Sequence, residues 1–115
     1  MQTLAMAYSE KLADRIRKML ARHKAVAERK MFGGLCFLLQ GNMCCGVEST
    51  RLVVRVGPER SGQLLRKRHV RPMDFTGKPL RGFIYVMPEG IKSRQALEAW
   101  VAFGVQYAKS LPAKK

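Results

Sequence analysis

Three cysteines and two histidines are the side chains of this sequence best suited to nucleophilic or metal chemistry. Cys36 and the adjacent Cys44 and Cys45 fall in one predicted β-hairpin, where they could face each other across its strands as a thiol switch or a soft metal site. No Cys-x-x-Cys spacing accompanies the only histidines, His23 and His69. Small apolar residues in a sheet are therefore the favoured interpretation of the cysteines, and we predict no metal ligand and no cofactor.

A catalytic centre needs an acid, a base or a nucleophile in a suitable setting, and no pair of such groups stands at a spacing that indicates chemistry. The carboxylates are dispersed along the chain. The positive surroundings of His23 and His69 are expected to lower the pKa of each imidazole and to leave it neutral at physiological pH. We predict no catalytic residue and no enzyme, and we keep an uncharacterised enzyme as the third alternative.

The net charge is the feature of the composition that most restricts function. The lysines and arginines number 22 and the aspartates and glutamates 8, which gives a formal net charge of +14. A net charge of roughly 2 to 8 is enough to keep a small domain soluble. The excess indicates an anionic partner, of which nucleic acid is the usual one and an acidic protein or anionic lipid are the others.

Two groups of cations are the predicted nucleic-acid contacts. One follows the second predicted helix and the other lies on the polar face of the first: Arg66, Lys67, Arg68 and Arg71, and Arg15, Lys18 and Arg22. The carbonyls at a helix C-terminus favour one or two nearby cations, fewer than the first group contains, and a solvated helix face is the alternative interpretation of the second. Neither group has interleaved aromatic residues, so we expect contact with the phosphate backbone rather than base readout.

Apolar periodicity and capping residues predict the elements that position these cations. One helix begins after Ser9, a second runs from Pro58 to about Lys67, and a third begins after Ser93. The predicted strands are 35–39, 43–47, 51–56 and 82–87. The fold class is therefore α+β, a four-stranded and mainly antiparallel sheet with helices packed on one face, in the order α-β-β-β-α-β-α.

The segments between these elements are predicted to be irregular. Residues 24–30 are interpreted as a connection or the fraying end of the first helix, residues 73–75 as an irregular or edge segment with Phe75 turned inward, and the basic tail from about residue 110 as frayed. The length of 115 residues fits a single domain, 1–115. No apolar stretch is long enough for a signal sequence or a bilayer span, so we expect a cytoplasmic protein without membrane contact.

Two glycines and one tryptophan are expected to organise the core. Gly33 and Gly34 open the first strand, where a bulge or tight entry is the favoured interpretation and a ligand cradle is the alternative. A phosphate loop would need more glycines followed by a helix. Trp100 is expected to be the largest anchor in the core, and Gly104 to mark a close approach of the last helix to the sheet or to the first helix.

The motifs of this chain, taken together, resemble the N-terminal domain of the TfoX/Sxy family. They are Lys-Met-Phe-Gly-Gly-Leu-Cys-Phe at 30–37, which includes Phe32, then Gly-Asn-Met at 41–43, Leu-Val-Val-Arg-Val at 52–56, Pro-Met-Asp-Phe-Thr-Gly at 72–77 and Trp-Val at 100–101. The resemblance implies an α+β domain from a group named for regulators of competence for DNA uptake. Longer members of that family add a domain similar to helix-hairpin-helix DNA-binding modules, and the family pattern carries no catalytic or metal-binding residues.

The resemblance and the charge together predict a bacterial, non-enzymatic regulatory or binding module that contacts nucleic acid or an acidic part of the transcription machinery. The alternative is a module for protein contact or homo-oligomerisation, such as a homodimer, that docks through a strand edge or a helix face.

Overall fold

A six-stranded antiparallel sheet carries the other elements of the chain. The structure, a computed structural model, describes residues 8–31, 33–74 and 77–114. In chain order the elements are α1 (Glu10–Leu20), β1 (Val26–Met31), β2 (Gly34–Leu39), β3 (Asn42–Glu48), β4 (Arg51–Arg55), α2 (Pro58–Leu64), β5 (Val70–Asp74), β6 (Pro79–Val86), a 3-10 turn (Pro88–Gly90) and α3 (Arg94–Ser110). The strands lie in the order β1-β2-β3-β4-β6-β5. The α+β class and the antiparallel sheet are confirmed, but the predicted number of four strands is wrong.

The first strand that the sequence does not predict is β1. It covers residues 26–30 of the segment 24–30, which is predicted to be a connection or a fraying helix end. Strand β1 pairs with β2 along its whole length, from Val26 opposite Leu39 to Met31 opposite Gly34. Its four middle residues are exposed, so no apolar alternation marks it in the sequence. It forms because the buried strand β2 needs hydrogen-bond partners for its backbone on both sides.

The second missed strand is β5, at the opposite edge of the sheet. It pairs with β6 from Val70 opposite Val86, and its register shifts between Pro72 and Asp74. A proline removes one backbone donor, which an edge strand tolerates and a central strand does not. The prediction of an edge segment at 73–75 therefore holds for Met73 and Asp74, and Phe75 lies outside the described residues.

The predicted helix starts are confirmed at both serine caps. The backbone N–H of Leu12 donates to Ser9 Oγ at 3.1 Å, and that of Ala96 donates to Ser93 Oγ at 3.0 Å. The second helix, however, ends at Leu64 rather than near Lys67. The Lys67 N–H bonds the carbonyl of Leu64, three residues earlier, so the chain turns instead of continuing the helix.

The main core lies between the three helices and one face of the sheet. Phe37 is the largest of the fully buried side chains, whereas Trp100 is only half-buried, with its ring 5.8 Å from that of Phe103. Helix α3 turns Leu97, Val101, Gly104 and Ala108 toward the core, which leaves Trp100 at the margin of that line. The expected role of Trp100 as the largest anchor is therefore wrong. The expectation for Gly104 is confirmed, because a Cβ there would collide with the Cys44 carbonyl oxygen.

The opposite face of the sheet is also apolar. A second cluster of buried residues lies there: Cys36, Leu38, Met43, Val53, Met73 and Tyr85. Strand β2 is accordingly buried along its whole length. Within residues 35–39, the odd-numbered side chains lie in the main core and the even-numbered ones lie in the second cluster. Both faces of the strand are therefore apolar, which is why this run shows no alternation.

The segment after α3, predicted to fray, is instead held against the turn between β2 and β3. Buried Asn42 donates its side-chain amide to the Pro112 carbonyl at 2.9 Å, and the Lys114 N–H donates to the Gln40 carbonyl at 2.8 Å. Among the described residues, no helix has the length and apolar character needed to cross a membrane.

Candidate nucleic-acid interface

The turn between α2 and β5 presents the denser group of predicted contacts. Arg66, Lys67 and Arg68 are all exposed there. His69 follows with a φ of 68°, in the left-handed region, and directs the chain into β5. The His69 carbonyl accepts a hydrogen bond from the Met87 N–H at 2.7 Å, so the turn is anchored to the chain beyond β6.

The charge of this turn is not neutralised within the described part of the chain. Arg66, Lys67 and Arg68 form no salt bridge with any described carboxylate. Arg71, exposed on β5, donates to the neighbouring Val70 carbonyl at 3.2 Å and forms no salt bridge among these residues. Four guanidinium or ammonium groups are therefore available to an external anion.

The three predicted contacts on α1 differ in their surroundings. Half-buried Arg15 donates to the Ile91 carbonyl at 2.9 Å and so holds the segment that precedes α3. Lys18 Nζ lies 3.8 Å from Asp14 Oδ2, an exposed pair worth a few tenths of a kcal/mol, and Arg22 is exposed without a salt bridge among the described residues. Lys18 and Arg22 are free to bind an anion, and Arg15 also has a structural role.

Arg17, on the same helix, is neutralised by carboxylates of the fold. Its Nε lies 2.6 Å from Glu28 Oε2 and its Nη2 lies 2.9 Å from Oε1, a bidentate pair that joins α1 to β1. This hydrogen bonding holds the pKa of Glu28 below its usual value. Glu10 and Asp14 lie 3.7 and 3.6 Å from Arg17 Nη1.

The segment 87–93 brings the two predicted groups to one end of the molecule. A Cβ on Gly90 would lie 3.0 Å from the Cβ of His69, which stands between Arg68 and Arg71 of the first group, and Ile91 accepts the hydrogen bond from Arg15 of the second. Gly90 and Ile91 are adjacent in the chain, and consecutive Cα atoms are about 3.8 Å apart. The turn that carries the first group and Arg15 of the second therefore lie close to one short segment.

Two further cations, in and next to this segment, were missed in the sequence. Lys92 and Arg94 are exposed on either side of Ser93, the cap of α3. Their position next to a predicted cap was the signal that could have found them. We define the basic surface by nine residues: Arg15, Lys18, Arg22, Arg66, Lys67, Arg68, Arg71, Lys92 and Arg94.

Arginine contacts with aromatic rings lie elsewhere in the fold. The Arg51 guanidinium is 3.7 Å from the centre of the Tyr85 ring, and that of Arg55 is 5.3 Å from the Tyr107 ring. The arginines of these contacts, Arg51, Arg55 and Arg60, do not belong to the basic surface. Its nine cations are therefore expected to contact phosphates rather than to stack on bases.

All three cysteines lie in one hairpin, β2–β3, as predicted, but on different faces of the sheet. A register shift after Phe37 makes Cys44 an extra residue in β3, so Cys44 and Cys45 both belong to the main core while Cys36 lies on the other face. Among the described residues, no three His, Cys, Asp or Glu side chains are grouped for metal binding. Burial is the largest cause that lowers the pKa of His23, and the nearby charges of Lys109 and Arg22 lower it further. The predicted direction of this pKa shift is confirmed for His23, but burial contributes more to it than either nearby charge does.

Native thiol reactivity is expected to be very low. Burial raises the pKa of Cys36 to about 11, and a hydrogen bond with Cys44 together with burial raises the pKa of Cys45 well above its usual value. At pH 8 the thiolate fraction of Cys36 is then at least about a hundredfold below that of a free cysteine. We expect DTNB to label the native protein at least about a hundredfold more slowly than the urea-unfolded protein, with the slow rate rising toward pH 10. A thiol that reacts quickly in the native protein at pH 8 would contradict this assignment.

A family model described as the TfoX N-terminal domain matches residues 18–108. The match begins within α1 and includes all six strands and most of α3. No curated protein and no solved structure matches the chain.

Proposed function

We propose a function from the premise that this chain belongs to the TfoX N-terminal domain family, since the family match covers most of its length. The chain acts as a non-enzymatic regulatory domain of the cytoplasm. It contacts nucleic acid through the phosphate backbone, in the regulation of genes such as those of competence. The membership supports the regulatory role, and the basic surface supports the nucleic-acid contact.

The observation that carries the nucleic-acid contact is the unpaired charge of the basic surface. Eight of its nine cations form no salt bridge among the described residues, the exception being the exposed pair of Lys18 with Asp14. Arg17, by contrast, has three carboxylates within 4 Å. Each unpaired cation that displaces a condensed counterion from a phosphate contributes to affinity without reading the sequence.

The test is the salt dependence of binding to two duplexes of unrelated sequence, measured by fluorescence anisotropy. We expect similar affinities for the two, because phosphates carry no sequence information. Both affinities should fall steeply between about 50 and 200 mM salt, since counterion release weakens as salt rises. No measurable binding at about 50 mM salt, or binding that does not change with salt, would reject the proposal.

A further inference from the structure

An open groove runs between α1 and α3 on the outer side of the helical layer. It consists of two adjoining cavities with volumes of about 610 and 260 Å³. The cavities share Met19, Arg22 and Glu98, so they form one continuous depression. From Arg94 at one end to Lys109 at the other, the groove follows sixteen residues of α3, whose fifteen steps of 1.5 Å span about 22 Å.

The floor of the smaller cavity is largely apolar, and Met19 and Ala21 are the apolar residues that line the larger one. Met19 and Leu20 of α1 line the smaller cavity on one side, and Val101, Ala102 and Val105 of α3 line it on the other. Leu20 and Val101 are buried, Met19 and Val105 are half-buried, and Ala102 is exposed. A small exposed residue between larger apolar ones allows another backbone to approach closely, so the floor is shaped to receive an apolar face.

The rim of the groove is positively charged. Arg15, Lys18 and Arg94 lie around the larger cavity, Arg22 borders both cavities, and Lys109 lies at the far end. Glu98 is the single carboxylate among the lining residues. Five cations against one anion favour a ligand that carries several negative charges along its length.

We propose that this groove binds an acidic amphipathic helix of a partner protein. Apolar side chains of such a helix, at spacings of three and four, would cover the floor at Met19, Ala102 and Val105, and its carboxylates would meet the cations of the rim. A length of about 22 Å accommodates about four helical turns. Such a partner would take Arg15, Lys18, Arg22 and Arg94 of the basic surface and would leave Arg66, Lys67, Arg68, Arg71 and Lys92 to nucleic acid.

Two other occupants fit the groove less well. A nucleic-acid backbone would satisfy the rim but has no apolar face to cover the floor. A second copy of this chain would have to supply its own amphipathic helix, α1, whose polar face carries three cations besides Arg15 (Lys11, Arg17 and Lys18) against Glu10 and Asp14. The chemistry of the groove therefore favours a different and acidic protein.

The probe is a synthetic fluorescent peptide of about 15 residues, with leucine at helical spacings of three and four and glutamate at most other positions. The first control peptide has the same composition in a permuted order that leaves no apolar face. The second control peptide has lysine in place of glutamate. Binding is measured by anisotropy at about 150 mM salt. We expect the acidic amphipathic peptide to bind at least tenfold more tightly than either control, because only it matches both floor and rim.

Variants on α3 localise the site. Ala102→Glu introduces a carboxylate into the floor and is expected to weaken peptide binding at least tenfold, whereas Ala99→Glu, equally exposed but outside the groove, should change it less than twofold. Both variants add one negative charge and keep Arg66, Lys67, Arg68 and Arg71, so they should lower the affinity of a duplex held by that turn to a similar extent. This separates failure of the groove from failure of the proposed nucleic-acid contact.

Three results would overturn the proposal. Equal binding of the permuted peptide would show that charge alone is recognised. Equal peptide affinities of Ala102→Glu and Ala99→Glu would place the peptide elsewhere. Duplex affinity that falls at least tenfold more in Ala102→Glu than in Ala99→Glu would assign the groove to nucleic acid instead.

Discussion

Gly34→Val is expected to destabilise the fold by about 3 kcal/mol or more. A Cβ at Gly34 would collide with the carbonyl oxygen of Val47, which belongs to β3 and is not free to move because it lies in the paired sheet. Overpacking of this kind costs about 1 to 3 kcal/mol when side chains can yield, and more when backbone must move. The close approach of β2 to β3 thus explains why residue 34 is a glycine.

The neighbouring Gly33 is a matched control, because it needs glycine for a different reason. Its φ is 72° and nothing lies within 4 Å of a Cβ placed there. Gly33→Val should therefore cost about 1 to 2 kcal/mol, and Gly33→Asn less, since asparagine tolerates the left-handed region. Urea unfolding of the three variants measures these costs as differences in the free energy of unfolding.

The interpretation of the glycine pair as a structural element depends on this ranking. Equal stability of Gly34→Val and the wild-type protein, combined with a loss of duplex binding, would make the glycine pair a ligand cradle instead. Phe32, the preceding residue of the motif, lies outside the described residues.

The triple variant Arg66→Ala/Lys67→Ala/Arg68→Ala is expected to lose duplex affinity by at least tenfold at about 50 mM salt. Three lost phosphate contacts change log affinity by about 2.7 for each decade of salt. The electrostatic contribution vanishes at about 1 M salt, roughly 1.3 decades above 50 mM, so the loss of affinity at 50 mM reaches about 3 × 10³-fold at most. Because all three side chains are exposed, the free energy of unfolding should stay within about 0.5 kcal/mol of the wild-type value.

The opposite edge of the sheet supplies a matched control for this variant. Lys24→Ala/Arg29→Ala/Lys30→Ala also removes three exposed cations, of which Arg29 and Lys30 lie on strand β1 and Lys24 two residues before it. Strand β1 is five strand spacings, or about 24 Å, from β5. That distance exceeds the Debye length of about 10 Å at 0.1 M salt, so a phosphate bound beside β5 is largely screened from the cations at β1. Duplex affinity of the control should fall less than about threefold.

The sequence predicted the strands whose apolar runs are buried and missed those that are not. Strands β2, β3, β4 and β6 carry apolar residues on one or both faces, which periodicity detects. Strand β1 reads Ala-Glu-Arg-Lys through its exposed middle, and β5 contains Pro72, so local pattern and propensity both argue against a strand. Their existence follows from the backbone hydrogen bonds that β2 and β6 require, which is a property of the assembled sheet.

The candidate surface was predictable from charge density only in part. The run from Arg66 to Arg71 is visible in the sequence because its cations are adjacent. The pairing of Arg17 with Glu28 and the bonds of Arg15 to the carbonyl of Ile91 are not visible there, because they join residues brought together by the fold. The groove between α1 and α3 is hidden for the same reason, since its two walls are far apart in the chain.

The most direct test of the central claim is the slope of log affinity against log salt concentration for the wild-type protein and the two triple variants on one duplex. Counterion release predicts that the Arg66, Lys67 and Arg68 variant has a slope shallower than the wild-type slope by about 2.7, or about 0.9 for each contact removed. The Lys24, Arg29 and Lys30 variant should keep the wild-type slope within about 0.5. A Lys24, Arg29 and Lys30 variant that flattens the slope as much as the other triple variant, or an unchanged slope in both, would contradict nucleic-acid contact through the basic surface.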